Sequence, residues 1–267
     1  MAIESDDLRS ILRALRERES RESLLILGDA AIFVAPPQLE KLAAEVGYPL
    51  SFVPDELDPF TLGASLGFTR TETLDVNGKA SLTVNLDEEV PLALIGAFDC
   101  LIDAGVLFWC FDPASALRNI LKMVRAGGTI VHITAVSGHY GRGYYNIHPL
   151  LLEDFYLGNG CALGESSFRT KFRAHGLLAR VTSRLRIANT VTRYREPGHV
   201  YLAESRLNRI GFGLRYRAPF EANLIPNNVL GVFVFQKNNG GEIVNPVRTS
   251  PFDELSPRPS ARTPQSG

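Results

Sequence analysis

Apolar positions along this chain fall into short runs separated by charged or glycine-rich breaks, and the spacing inside each run predicts its element. Leu8, Ile11, Leu12 and Leu15 lie at helical spacing behind Ser5, a good helix cap, and the charged run RERESRE follows them. Leu24-Leu25-Ile26-Leu27 is short and uniformly apolar, which predicts a buried strand broken by Gly28-Asp29-Ala30-Ala31. Positions 37–46 predict a helix ended by Gly47-Tyr48-Pro49, with a second helical piece near 59–66. Thr71 to Asp75 predicts a second strand closed by Asn77-Gly78, and Leu82 to Asn85 a third closed by Asp87-Glu88-Glu89.

The densest signal is FDCLIDAGVLFWCFDPASALRNILKMVRAGGTIVHITA, positions 98–135. Phe98 to Ile102 reads as a strand that breaks at Asp103-Ala104-Gly105. Asp112 suits a helix cap and Pro113 the first helical position, with Ala116, Leu117, Ile120, Leu121 and Val124 at helical spacing behind them. Ala126-Gly127-Gly128 stops that helix before a β-branched strand, Thr129 to Thr134. Strand, helix and strand in this order predict a right-handed crossover between parallel strands. Ligands of such sheets sit beyond the carboxyl ends of the strands, which draws attention to Asp75, Asp87 and Asp103 and to the segment after Thr134. That segment, SGHYGRGYYN, is rich in glycine, aromatics and donors, and it leads into a helix expected from about 148 to 157. Closing strands are expected at 179–188 and 229–236, the second antiparallel because no helix intervenes. The organisation expected is an N-terminal helix over 1–22, an α/β domain over 23–237 with a basic insertion at about 169–217, and a disordered tail over 238–267, which carries five prolines after position 245.

A chain of 267 residues, 45% hydrophobic, supports a substantial core. Cys100, Cys110 and Cys161 lack C-x-x-C spacing and read as reduced, buried thiols of a cytoplasmic protein; the charged N-terminus has no apolar signal core. Val90 to Phe111 is long enough to span a membrane but carries Pro91, Asp99 and Asp103. Each mid-membrane Asp would cost about 2.5–3.5 kcal/mol, so no membrane span is expected. Against a net charge of −1, positions 169–217 hold eleven arginines and one lysine but only two glutamates. This basic stretch suits an anionic acceptor, or it pairs with acidic parts of its own or a neighbouring subunit, which leaves a homo-oligomer open. Nucleic acid is disfavoured because no RNA-binding motif accompanies the charge. No residues show metal-ligand spacing and no Ser/His/Asp order is persuasive, so neither a metal nor a hydrolytic triad is expected.

With the rim acids and the strand–helix–strand unit in place, the region from Leu24 to Lys237 resembles the class I S-adenosylmethionine-dependent methyltransferases. The stretch 98–134 looks like that family's fourth strand, helix and Gly-Gly fifth strand. GRGYYNIHPLLLEDFYLGNG is similar to a bacterial subgroup often associated with surface-glycan gene clusters. The resemblance implies an α/β, Rossmann-like methyltransferase fold, with a mostly parallel seven-stranded sheet and helices on both faces. It also implies S-adenosylmethionine as cofactor. Gly28, Asp29 and Ala30 would lie at the methionine part and Asp75 would accept from both ribose hydroxyls. Asn85, Leu86 and Asp87, with Val76, would flank the adenine, and Asp103, Ala104 and Gly105 would line the reaction chamber. Ile26, Ala30 and Ile32 stand where the family has an acid and two further glycines.

Methyl transfer from a sulfonium needs positioning and sometimes a base. His139, after the fifth strand, is the first candidate base and His148 the second, each with a helix-capping or solvent role as its plainer alternative. Arg142, Tyr144 and Tyr145 are candidates for acceptor binding. The expected function is methylation of a small-molecule or glycan-type acceptor, with an anionic acceptor in view. The alternatives are a non-catalytic scaffold that keeps the fold and a nucleic-acid methyltransferase.

Overall fold

The computed structural model describes residues 2–18, 21–139, 142–170, 192–193, 229–238 and 240–247. In chain order these form β1 (Ala2–Ile3), α1 (Ser5–Arg16), β2 (Ser23–Leu27), β3 (Ala31–Ile32), α2 (Pro36–Val46), α3 (Pro59–Ser65), β4 (Arg70–Asp75), β5 (Leu82–Thr83), β6 (Phe98–Asp103), α4 (Pro113–Met123), β7 (Val124–Ser137), α5 (Pro149–Gly158), β8 (Cys161–Thr170), β9 (Thr192–Arg193) and β10 (Val229–Lys237).

One sheet carries the molecule, in the order β5-β4-β2-β6-β7-β10-β8-β9. The neighbours from β5 to β7 are parallel, and β10 runs antiparallel to both β7 and β8. The sheet is therefore seven strands, parallel except for β10, extended by the two-residue edge β9, which is antiparallel to β8. Uniformly apolar strands arise because both faces are covered. On β2, Leu24 and Ile26 face a core built with α1, α2 and α3, whereas Leu25 and Leu27 face a second core built with α4 and α5. All five residues of β2 and all six of β6 are buried.

Local chemistry sets the helix ends. Asp112 accepts from the amides of Ala114 and Ser115, and Pro113 follows, as expected. Lys237 donates to the carbonyls of Leu121 and Val124 at 2.9 and 2.6 Å, closing the other end of α4. Gly47 ends α2 with φ +69°, a conformation that favours glycine. Ser5 is not the cap of α1. That place belongs to Glu4, whose amide donates to Asp7 at 2.9 Å, and Ser5 opens the helix instead.

Three strands differ from the sequence reading. β5 stops after Thr83 because the Asn85 side chain turns the backbone, accepting from the Asp87 amide and donating to Glu88. Val124 opens β7 instead of closing α4. β8, Cys161–Thr170, was not anticipated, because Gly164, Glu165, Ser166 and Ser167 blur its pattern; the expected strand at 179–188 lies outside the described residues, as do most of the basic stretch and 248–267. Within 240–247, Val244 exchanges two hydrogen bonds with Asn159 and Asn245 accepts from Arg118, which fastens this piece to α5 and α4. Arg169 of β8 is buried against Glu4 and Asp7, so the first arginine of the basic stretch is tied to the acidic start of α1. No helix among the described residues is long and apolar enough to cross a membrane.

Candidate functional site

The carboxyl ends of β2, β4, β5, β6 and β7 meet on one side of the sheet, so the loops after them share a rim. At its centre, β2 and β4 are in register up to Leu27 and Leu74. The Gly28 amide, at φ +86°, donates to the Leu74 carbonyl at 2.7 Å, and the Asp29 amide donates to Asp75 Oδ2 at 3.1 Å. The Gly28–Asp29 turn is thus moored to Asp75. The other Asp75 oxygen accepts from the Asn77 amide at 3.0 Å, forming the tight turn its sequence allows. A carboxylate has about four acceptor positions, so Asp75, half-buried, keeps room for two more donors.

The loop after Asp29 departs from a strand-to-helix turn. β3 pairs in parallel with β1, and Ile32 packs on the core shared by α1 and α2. Ala30 is buried in that same core. The short strand carries the Ile32 side chain into the core that a glycine would have left unfilled.

Asp87 accepts from the amides of Phe111 and Asp112, each at 3.1 Å, and so holds the 104–112 loop beside the end of β5. Asn85 is exposed next to it. Val76 is 64% exposed, whereas Leu86 is in the core beneath α4 and cannot present its side chain as an adenine wall. Asn119 of α4 binds the carbonyls of Leu86 and Glu88 and fixes that turn from below.

Asp103 does not line an open chamber. Its side chain is fully buried on the α5 side of the sheet. Oδ1 accepts from the amides of Gly105 and Val106 at 2.9 and 2.6 Å, with a longer contact to Leu107, and Oδ2 meets His132 Nδ1 at 2.8 Å. His132 Nε2 meets the Tyr156 hydroxyl at 2.7 Å. Burial pushes the Tyr156 hydroxyl well above its ordinary pKa, so it stays neutral. Asp103 therefore holds the 105–107 turn, and Ala104 is buried with it. The sequence placed His132 on the sheet but gave no sign of this relay, whose partner comes from another element.

Aromatic rings crowd the rim between β6 and β7. Trp109, Phe111, Tyr144 and Tyr145 are all substantially exposed. The amides of Tyr144 and Tyr145 donate to the Phe108 carbonyl, and the Tyr145 hydroxyl donates to the Phe111 carbonyl at 3.0 Å. Phe111 and Tyr144 pack edge to face with centroids 6.1 Å apart. The sequence reading named the two tyrosines and overlooked Trp109 and Phe111; the run FWCF directly after the sixth strand was the available signal. Arg142 is exposed on the same loop, its amide bonded to the His139 carbonyl. His139 sits at φ +56°, the sole non-glycine residue with positive φ among the described residues. His148 caps α5, its Nδ1 accepting from the Leu150 amide at 3.2 Å, which is the plainer of its two expected roles.

Cys100, Cys110 and Cys161 are buried and free, and burial pushes their thiols up to about 12, 12 and 11, so none is a nucleophile near neutrality. Among the described residues no group of three or more His, Cys, Asp or Glu is placed to hold a metal ion.

No protein-family model matches the chain, and no curated protein matches it in sequence. Similar solved structures exist. One is a chain of the Haloferax volcanii complex between the Trm112 methyltransferase activator and a candidate methyltransferase, 12% identical, TM-score 0.43, covering 87% of this chain and 90% of that one. A candidate methyltransferase of Bacillus halodurans is 8% identical, TM-score 0.44, covering 86% and 99%. An S-adenosylmethionine-dependent methyltransferase of Archaeoglobus fulgidus is 11% identical, TM-score 0.42, covering 87% and 92%. The likenesses are distant; the strand order is five parallel strands followed by an antiparallel last strand inserted before the sixth. In fold, the chain is an α/β protein whose mostly parallel seven-stranded sheet carries helices on both faces.

Proposed function

We propose that this protein is an S-adenosylmethionine-dependent methyltransferase whose acceptor is a small molecule or a glycan. The observation that carries the reading is the mooring of the Gly28–Asp29 turn to the half-buried Asp75 across adjacent parallel strands. A nucleoside brings two neighbouring hydroxyl donors, and the free acceptor capacity of Asp75 suits them both. Gly28, at positive φ, makes the turn that brings Asp29 to the surface, where the amino-acid end of the cofactor would lie, with the buried Ala30 behind it. Asn85 and the exposed Val76 flank the place where a base would extend, with Asp87 holding the adjoining loop; Gly105 belongs to the turn that Asp103 secures.

The cofactor, when bound, supplies a methyl group already activated by its sulfonium. The chain's own residues then have to orient the acceptor, exclude water and, for a hydroxyl or amine acceptor, take a proton. Trp109, Phe111, Tyr144 and Tyr145 form the wall against which a flat or sugar-like acceptor stacks, and Arg142 is the cation available to an anionic group on it. His139, on the loop after β7, is the residue assigned to proton transfer, since His148 spends one ring nitrogen on its helix.

Calorimetry with S-adenosylhomocysteine tests the reading. Saturable binding by the folded wild type supports it; a folded sample that gives neither heat nor a thermal shift at millimolar ligand overturns it in favour of a scaffold that kept only the fold.

A further inference from the structure

Asparagine followed by glycine occurs in the chain at positions 77–78, 159–160 and 239–240, the last of them beginning outside the described residues. In such a pair the backbone nitrogen of the glycine reaches the asparagine side-chain carbonyl with least hindrance, because glycine has no Cβ to block the approach. Attack there closes a five-membered imide and expels ammonia. Whether a folded chain permits this step depends on what holds the two groups, and the two described pairs are held differently.

Asn77 and Gly78 form the turn after β4, where positions 76–79 are all exposed. Asn77 Oδ1 accepts from the Lys79 amide at 2.9 Å. That hydrogen bond closes a ring containing both Asn77 Cγ and the Gly78 nitrogen, and it draws electrons from the carbonyl to be attacked. Neither Asn77 Nδ2 nor the Gly78 amide is engaged in a hydrogen bond among the described residues. Gly78 stands at φ +69°, with nothing within 4 Å of the place a Cβ would take, so no neighbour resists closure of the imide.

Asn159 and Gly160 are fastened instead. Asn159 Nδ2 donates to the carbonyls of Phe155 and Val244 at 2.7 and 2.9 Å, and Oδ1 accepts from the Val244 amide at 2.8 Å. The Gly160 amide donates to the Leu157 carbonyl at 3.2 Å. Attack here would first require opening the end of α5 together with the piece at 240–247.

We propose that Asn77 is a site of spontaneous modification, converting to isoaspartate and aspartate in the folded protein while Asn159 is spared. The Gly78 nitrogen gives its proton to solvent and bonds to Asn77 Cγ; the Cγ–Nδ2 bond breaks, and Nδ2 leaves as ammonia after taking a proton. Water then opens the imide. Opening at Cγ gives aspartate, and opening at the main-chain carbonyl carbon gives isoaspartate. Either product places a second negative charge two residues from Asp75. The iso form also adds a methylene to the main chain of the turn whose Asn77 amide donates to Asp75 at 3.0 Å. The modification is independent of the methyltransferase reading, and only its effect on the cofactor rests on that reading.

The test incubates the full chain, folded and urea-denatured, side by side in mildly alkaline buffer, followed by tryptic digestion and mass spectrometry that separates isoaspartate from aspartate. A sample taken at the start sets the background from digestion. The peptides 71–79 and 143–169 carry the two sites. In urea both asparagines are expected to convert at similar rates. In the folded chain Asn77 is expected to stay within about tenfold of its denatured rate, with Asn159 slower than Asn77 by about tenfold or more, because it must wait for local opening. Equal protection of the two sites in the folded chain overturns the proposal, as does conversion of Asn159 ahead of Asn77. The mapping reads no bound ligand, so a failure of the cofactor reading leaves its result intact. In protein that binds S-adenosylhomocysteine, the converted fraction is expected to bind it several-fold more weakly, and equal affinity would show that the change at Asn77 does not reach Asp75.

Discussion

Asp103 and His132 stand opposite each other on the neighbouring parallel strands β6 and β7, with Oδ2 and Nδ1 2.8 Å apart and both side chains closed off from solvent. The pair is what joins the turn after β6 to α5, through the Tyr156 hydroxyl. An acid at the end of a parallel strand ordinarily suggests a ligand; here the alternation of β6 turns it inward, with Leu101, to the α4 and α5 side.

This relay predicts unequal costs. Asp103→Ala removes the acceptor from backbone amides and from His132, and is expected to lower stability by about 3 kcal/mol, because several buried donors are orphaned at once. Tyr156→Phe removes one hydroxyl and is expected to cost about 1 kcal/mol. Urea unfolding of the two variants measures the difference; similar costs would mean that the 105–107 turn does not depend on Asp103.

At Asp75 the expectation concerns binding rather than folding. Asn fits the same turn, so Asp75→Asn is expected to fold normally while losing the charge that attracts hydroxyl donors. S-adenosylhomocysteine affinity is expected to fall about tenfold. Unchanged affinity would remove Asp75 from the cofactor site even if the protein binds the compound.

Gly143 anchors the aromatic wall. Its φ is +74°, and a Cβ there would lie 2.3 Å from Phe108 Cδ2 and 2.6 Å from the Phe108 carbonyl oxygen, the atom that receives the amides of Tyr144 and Tyr145. Gly143→Ala is expected to displace the loop, change the fluorescence of Trp109, the single tryptophan, and reduce methyl transfer while S-adenosylhomocysteine still binds. An unaltered emission spectrum with full activity would show that the wall takes no part.

Asp7 gives a pH signature. Burial raises its carboxyl from 3.8 to about 6, with Arg169 opposing the shift. A folded-state value above the unfolded one contributes stability that is complete below about pH 3.8 and is lost as pH rises through about 6. The stability of wild type relative to Asp7→Asn is therefore expected to fall by something on the order of 2 kcal/mol between pH 4 and 6 and to stay level above that. Thermal unfolding across this range measures it. A flat difference would mean that Arg169 holds Asp7 ionised throughout.

What the sequence determined by itself was the architecture near the diagonal of the chain. Leu24 to Leu27, Phe98 to Ile102 and the Asp112-Pro113 cap are decided by neighbours a few residues away, through burial on both faces and through capping, and all three appear where their patterns place them. β8 escaped because its polar Ser166 and Ser167 are buried by pairing with β10, more than sixty positions later, which no local pattern records. The rim acids divide in the same way. That Asp75, Asp87 and Asp103 end strands or follow them was legible; which carboxylate stays half open, which one holds the loop of α4 and which one turns inward to His132 was settled by contacts 24 to 46 residues apart. Strand ends are written in the sequence, whereas the use made of each side chain depends on which atoms the folded sheet brings within hydrogen-bonding distance.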